Sequence, residues 1–85
     1  MTVTILQLNL SDIKPGNKVS ITGFTKEDVP IKMLEMGLLP GNVILVKRFA
    51  PMGDPMHIEV AGYDLALRKD EAKQILVQVV ANSQD

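Results

Sequence analysis

Residues 56–67, MHIEVAGYDLAL, decide the fold class of this chain. Apolar and polar side chains alternate through Met56–Val60 and again through Tyr63–Leu67. An alternation with period two is typical of half-buried strands. The two residues between these segments, Ala61 and Gly62, fit a tight hairpin turn. The stretch therefore predicts an antiparallel β-hairpin with one apolar face.

The same alternation continues on both sides of this hairpin. It appears in Lys18–Phe24 and in Ile75–Val79, while Asn42–Ala50 contains a run, Val43–Val46, that is apolar on both faces. We expect Asn42–Ala50 to be a central strand or one covered on both sides. About five short strands make a poor open sheet, and curling into a barrel removes the exposed edges. The pattern predicts a mainly β protein, a small SH3-like β-barrel of about five strands.

Two stretches that break the alternation predict one or two short helices. In Val29–Met36, the residues Ile31 and Leu34 stand three apart, and we expect both to face the barrel. Gly37 then supplies a left-handed residue that ends a helix at little cost. The second stretch, Arg68–Gln74, is polar and helix-favouring, so it predicts one or two turns before the last strand.

Composition limits the chain to one small globular domain. It has 85 residues, of which 46% are hydrophobic and 22% charged, and we expect residues 1–80 to form the domain and residues 81–85 a frayed tail. A net charge of −1 argues against a protein that mainly grips nucleic-acid phosphates. No cysteine is present, so disulfides, thiolate metal sites and a cysteine nucleophile are excluded. We see neither a membrane-spanning segment nor a signal-like start, and we expect a soluble, cytoplasmic protein without direct membrane insertion.

Four motifs, taken together and in order, resemble the FeoA family. Residues 34–46, LEMGLLPGNVILV, are similar to its core pattern L-x-x-G-L-x-P-G-x-x-I-x-V. Residues 51–55, PMGDP, are similar to its P-x-G-D-P loop. Residues 62–77, GYDLALRKDEAKQILV, resemble its ending, and residues 10–16, LSDIKPG, resemble its opening. The resemblance covers roughly residues 8–79, which is nearly the whole chain.

The resemblance implies an SH3-like fold and a small cytosolic component of bacterial ferrous iron uptake. The resemblance further implies action together with the large membrane permease FeoB, whose cytosolic part is a GTPase. A similar domain also lies at the end of the chain in iron-dependent repressors of the DtxR type. The resemblance thus implies a non-enzymatic accessory protein that binds and modulates an FeoB-type GTPase permease.

Apolar residues in the predicted helix and in the turn after it indicate a partner-binding surface. Methionine side chains are flexible and polarizable, which suits a surface that must adapt to a partner. An exposed apolar patch on a small domain usually marks a binding site. We expect this surface to be formed by Val29, Met33, Met36, Leu38 and Leu39. An alternative stays open, in which the two helix methionines fill a gap between helix and barrel; a homo-oligomer also remains an alternative.

A direct Fe²⁺ site is the main alternative function. His57, Asp54 and Glu59 lie within a few residues of one another, and imidazole and carboxylate groups are suitable ligands for ferrous iron. Against this, the chain has a single histidine, and Asp54 falls in a loop between two prolines while the other two fall on a strand. We therefore expect no cofactor, and we interpret His57 and Glu59 as the solvated face of the hairpin.

Catalysis and nucleic-acid binding have less support. No phosphate loop of the form G-x-x-x-x-G-K-[ST] is present, and no serine has a base placed beside it other than the single histidine, so we expect no enzymatic activity. Small barrels often bind RNA or DNA by pairing basic residues with stacking aromatics. Only three aromatic residues occur, and the basic pairs Lys47-Arg48 and Arg68-Lys69 are scattered. We therefore do not expect nucleic acid to be the partner.

Overall fold

The computed structural model describes residues 8–80. These residues form six strands, two short α-helices and one turn of 3-10 helix. The elements in chain order are β1 (Leu8–Asn9), the 3-10 turn (Leu10–Asp12), β2 (Lys18–Phe24), α1 (Ile31–Glu35), β3 (Val43–Phe49), β4 (Met56–Val60), β5 (Tyr63–Leu67), α2 (Lys69–Ala72) and β6 (Ile75–Val79). Among these residues, neither helix has the length or apolar character to cross a membrane. The tail predicted at residues 81–85 lies outside the described residues.

The six strands form a single antiparallel sheet in the order β1-β6-β2-β3-β4-β5. β3 pairs with β2 on one side and with β4 on the other, so the prediction of a central strand is confirmed. The mainly β class and the two short helices are confirmed as well. The additional strand is β1, which pairs only Leu8 and Asn9 with β6. Two residues are too few to show an alternation, so no sequence pattern indicated this strand.

The hairpin of β4 and β5 is closed by a two-residue turn. Ala61 has a φ angle of 53° and Gly62 one of 83°, and two consecutive positive φ angles are typical of a type I′ turn. Val60 pairs with Tyr63 directly beside the turn, and the pairing continues to Met56 and Leu67 without a shift. The hairpin predicted from residues 56–67 is therefore confirmed with the expected turn.

Two bulges bend the sheet around its core. The pairing of β2 with β6 shifts between Ile21 and Gly23, and the pairing of β3 with β4 shifts between Val46 and Arg48. A bulge adds one unpaired residue to a strand, which bends it and increases its twist. After each shift an aromatic side chain, Phe24 or Phe49, packs against the core. The bent strands thus close around one apolar interior.

The core is built from the inward-facing side chains of the strands together with residues from the helical segments. Apolar burial contributes about 25 cal/mol per Å², so this interior is the main source of stability in a small domain. No charged or polar residue among the described residues is buried with it. The buried residues are Leu10, Ile13, Val19, Ile21, Met33, Leu38, Ile44, Val46, Met56, Ile58, Val60, Leu67, Ala72, Ile75 and Val77.

Candidate docking surface

The connection between β2 and β3 carries α1 and ends it with a Schellman motif. The N–H of Leu38 donates to the carbonyl of Met33 at 3.1 Å, and the N–H of Gly37 donates to the carbonyl of Leu34 at 3.1 Å. Gly37 has a φ angle of +88°, which is the left-handed conformation that this motif requires. A Schellman motif is commonly accompanied by an apolar contact between the two residues that its longer bond joins. Here those residues are Met33 and Leu38, and both belong to the buried core.

This geometry corrects two of the predicted surface residues. Met33 and Leu38 were expected to contact a partner, but they are almost completely buried, so neither side chain is available to one. The prediction that Ile31 and Leu34 face the barrel is also wrong, because Ile31 is 72% exposed and Leu34 is only partly buried. In a helix of five residues, the C-terminal cap decides which side faces inward.

The opposite side of the same connection exposes apolar side chains. Ile31 on α1, Leu39 after the cap and Val43 at the start of β3 are all substantially exposed. Val29 and Met36 are partly buried and pack against the rim of the core. We call these five residues, Val29, Ile31, Met36, Leu39 and Val43, the outer apolar surface.

Backbone hydrogen bonds hold the turn at Leu39 in a defined position. The N–H of Asn42 donates to the carbonyl of Leu39 at 3.0 Å, and Gly41 has a φ angle of +96°, as in a type II turn. The N–H of Gly41 donates to the carbonyl of Ile21 at 2.8 Å, which ties the turn to β2. The Asn42 side-chain Nδ2 donates to the carbonyl of Gly37 at 2.6 Å. Leu39 is therefore presented by a fixed backbone.

Exposed charged residues lie in the same chain segment as the outer apolar surface. Lys32 and Glu35 on α1 are exposed, as are Lys26 and Glu27 in the segment that leads into it. Exposed apolar side chains with polar groups nearby are a common feature of protein–protein contacts. The arrangement suits the docking of another macromolecule better than it suits a small ligand, which needs a concave pocket.

The methionines do not form a single patch. Met56 is buried in the core like Met33, whereas Met52 is 92% exposed in the loop between β3 and β4. Met36 lies between these extremes. The alternative that methionines fill the space between helix and barrel therefore holds for Met33, and only Met36 contributes to the outer apolar surface.

Asp54, His57 and Glu59 do not come together as a metal site. His57 and Glu59 lie on β4 with side chains on the outer face of the sheet, opposite to Ile58. Glu59 faces Lys47 at 4.0 Å, and an Asp54 oxygen accepts the Lys69 N–H at 3.1 Å. Within residues 8–80, no group of three or more histidine, aspartate or glutamate side chains is placed to hold a metal ion.

The basic residues considered for nucleic acid are spread over the outer surface. Lys47 is paired with Asp64 at 3.1 Å, so its charge is largely compensated. Phe24 and Phe49 pack against the core, which leaves Tyr63 as the exposed aromatic side chain of the described part. A stacking platform needs aromatic and basic groups on one face. These residues do not form one.

A pocket of about 350 Å³ lies at the far end of β5. It is lined by Asp54, Pro55, Ala66 and Arg68. Nucleophilic catalysis needs a hydroxyl, thiol or amine within hydrogen-bond reach of a base. The lining residues that the structure describes contain a carboxylate and a guanidinium but no hydroxyl, thiol or amine side chain.

The sequence reasoning missed Ile31 and Val43 as exposed residues. A signal for Ile31 was available, because Gly37 followed by Leu38 is the sequence signature of a Schellman cap, and such a cap pairs Leu38 with Met33. Placing Met33 inward leaves Ile31, two residues earlier on the helix, on another side. Val43 had no comparable signal, because a strand that is apolar on both faces does not reveal which face meets solvent.

The chain is similar to known proteins of one family. The family model described as FeoA domain matches residues 8–79. The chain is 30% identical over 77 residues to the Fe(2+) transport protein A/Fe(2+) transporter FeoB fusion protein of Porphyromonas gingivalis; the match covers 89% of this chain and 9% of that protein. The chain therefore corresponds to only a small part of this relative.

Solved structures share the fold. The NMR structure of an FeoA-like protein from Clostridium acetobutylicum is 37% identical, with a TM-score of 0.83, and the match covers 98% of this chain and 96% of that one. Stenotrophomonas maltophilia FeoA, described as a prokaryotic SH3 domain protein complexed with zinc, is 21% identical with a TM-score of 0.72; the match covers 84% of this chain and 89% of that one. At that identity the likeness concerns the fold alone, and it confirms the predicted SH3-like fold.

Proposed function

Because the chain belongs to the FeoA domain family, which provides accessory proteins of ferrous iron transport, we propose that it docks onto an FeoB-type permease through the outer apolar surface. The contact would be made on the cytosolic side of the membrane, with the GTPase portion of the permease. The domain would modulate transport by binding, without a catalytic step and without a resident metal.

The gene fusion supports the choice of partner. In the Porphyromonas gingivalis relative, a region similar to this chain is joined to an FeoB transporter in one polypeptide. Joining two domains raises their effective concentration for each other, which is useful only when the two act together. A separate chain of the same family would have to make the corresponding contact by binding affinity alone.

The outer apolar surface supports the choice of contact. Leu39 is 44% exposed on a backbone that is fixed by hydrogen bonds to β2. Binding through Leu39 therefore costs little backbone conformational entropy. A few central residues carry most of the free energy of many interfaces, and the charged residues around them contribute mainly to orientation. This exposed, pre-organised leucine is the single observation that carries the proposal.

The test compares two substitutions on the outer apolar surface with one elsewhere. Leu39→Glu and Ile31→Glu place a charge where an apolar contact is expected, and each should weaken binding to the purified GTPase portion at least about tenfold. Isothermal titration calorimetry measures the affinity. Since both side chains are exposed, the free energy of unfolding, measured with urea, should change by less than about 0.5 kcal/mol.

Met52→Glu is the matched control. It also replaces an exposed apolar side chain by glutamate, but in the loop between β3 and β4 rather than on the outer apolar surface. We expect Met52→Glu to bind with unchanged affinity. Undiminished binding by both Leu39→Glu and Ile31→Glu would exclude the outer apolar surface as the contact.

A further inference from the structure

β5 is an edge strand of the sheet, and its free side has the properties of a pairing site. It contacts β4 on one side and has no strand partner among residues 8–80 on the other. We propose that a second copy of this chain pairs with β5 in antiparallel orientation, with the two-fold axis passing beside Leu65. This inference goes beyond the docking function, because β5 contributes nothing to the outer apolar surface.

The hairpin geometry identifies the backbone groups that are free. In a hairpin with a two-residue turn, the pair beside the turn is hydrogen-bonded, and bonded pairs then alternate with non-bonded ones. Tyr63, Leu65 and Leu67 are therefore bonded to β4, whereas the N–H and C=O of Asp64 and Ala66 point away from it. Within residues 8–80, neither Asp64 nor Ala66 takes part in a backbone hydrogen bond outside the sheet.

β5 lacks the usual protection of an edge strand. Natural edges are commonly blocked by lysine, proline or a bulge. Residues 63–67, YDLAL, contain no lysine or proline, and the pairing with β4 runs without a bulge. The one charged side chain of this strand, Asp64, forms a salt bridge with Lys47 on the outer face of the sheet. Tyr63 is 68% exposed and adds apolar area beside the free backbone groups.

Only one register of two antiparallel β5 strands pairs all the free N–H and C=O groups of Asp64 and Ala66. Centring the pair on Leu65 places Asp64 opposite Ala66 of the second copy, which satisfies four N–H and four C=O groups with four hydrogen bonds. Centring it on Asp64 would put two like charges directly opposite, which is destabilising. Centring it on Ala66 would require the backbone of Arg68, whose N–H already donates to Glu71 at 3.0 Å.

Charge complementarity favours the same pairing. In the register centred on Leu65, Arg68 of one copy lies diagonally across from Asp64 of the other, within reach of its long side chain. The two-fold axis produces this contact twice. On the inward side, the partly buried Leu65 faces Leu65 of the second copy, whereas Leu67 is fully buried in its own core and adds no contact to Tyr63. The occupant that fits the edge in backbone, charge and apolar character is therefore the same strand of another molecule.

Amide hydrogen exchange of the unmodified chain gives the direct test. The amides of Asp64 and Ala66 should exchange fast in dilute protein and become protected as the concentration approaches the millimolar range, about where small, transient interfaces form. The amides of Tyr63 and Leu65, bonded to β4, should be protected throughout. Exchange of Asp64 and Ala66 that does not depend on concentration overturns the proposal. Protection at every concentration in a monomer would also overturn it, because a segment of the same chain would then cover the edge.

A charge exchange between two variants tests the register. Asp64→Arg and Arg68→Asp each create two like-charge contacts in a homodimer, and each should weaken self-association about tenfold. Mixed in equal amounts, the two variants form a heterodimer in which both contacts are again of opposite charge, so association measured by sedimentation should be restored. Lys73→Glu, an exposed charge reversal outside β5, should leave association unchanged.

Unrestored association in the mixture would reject the register. Leu39→Glu should self-associate like the original chain, so loss of partner docking and loss of self-pairing can be told apart.

Discussion

Two adjacent leucines, Leu38 and Leu39, have opposite environments. Leu38 is 0% exposed and belongs to the core, while Leu39 projects into solvent from the turn that follows. The backbone between them is set by Gly37 on one side and by the type II turn on the other. The same residue type thus supports the fold at one position and is available to a partner at the next.

The difference shows that side-chain direction along this connection is decided by its caps and turns. The Schellman motif brings Met33 and Leu38 inward, and the hydrogen bond from Gly41 to Ile21 fixes the turn that carries Leu39. Neither depends on a periodic apolar pattern. Residues that were grouped as one surface from their composition therefore divide into a structural set and an exposed set.

The largest expected effect separates the two leucines by stability. Leu38→Ala removes a fully buried side chain and should lower the free energy of unfolding by about 2–5 kcal/mol. The whole free energy of unfolding of a domain of this length is only about 4–13 kcal/mol, so a large fraction of the Leu38→Ala molecules would be unfolded. Leu39→Ala should cost less than about 0.5 kcal/mol. Urea unfolding followed by circular dichroism measures the free energy of unfolding of both variants. Equal losses of this free energy would contradict the assignment of Leu38 to the core and of Leu39 to the exposed surface.

A smaller effect is expected at Gly37, whose conformation turns Leu38 inward. Gly37→Ala forces an alanine to a φ angle of +88° and brings its Cβ to 3.3 Å from the Cβ of Ala61. The left-handed conformation alone costs about 1–2 kcal/mol, and the close contact adds to it. Unfolding of the variant should therefore require less urea.

Gly41→Ala is the matched control for this position. It has a similar φ angle, +96°, but its Cβ would meet no atom within 4 Å. We expect it to be less destabilising than Gly37→Ala. The opposite order would mean that the close approach of the new Cβ to Ala61 adds no cost to the strain of the left-handed conformation.

Most of the fold could be predicted from the sequence, because the strands have clear alternation and clear turns. Met56–Val60 and Tyr63–Leu67 agree with the expected bounds, and Ala61-Gly62 form the expected tight turn. The bulges in β2 and β3 could not be predicted, because a bulge depends on the strand opposite and not on the residues of its own strand alone.

The outer apolar surface was predicted less well than the fold. Val29, Met36 and Leu39 were predicted as surface residues and are at least partly exposed, but Met33 and Leu38 are buried. The error at Met33 came from applying helical periodicity to a helix of five residues, which is too short for the period to determine its inward face, and Leu38 was included only for its apolar character. Which of these residues a partner contacts stays a prediction.

Chemical-shift mapping on the isotopically labelled chain tests the docking proposal most directly. On addition of the unlabelled cytosolic GTPase portion of the permease, we predict that the largest amide shifts occur at Ile31, Leu39 and Val43, with His57 and Glu59 unchanged. Shifts concentrated on β4 around His57 and Glu59, with Leu39 unaffected, would contradict the proposal that the exposed side of the β2–β3 connection binds the partner.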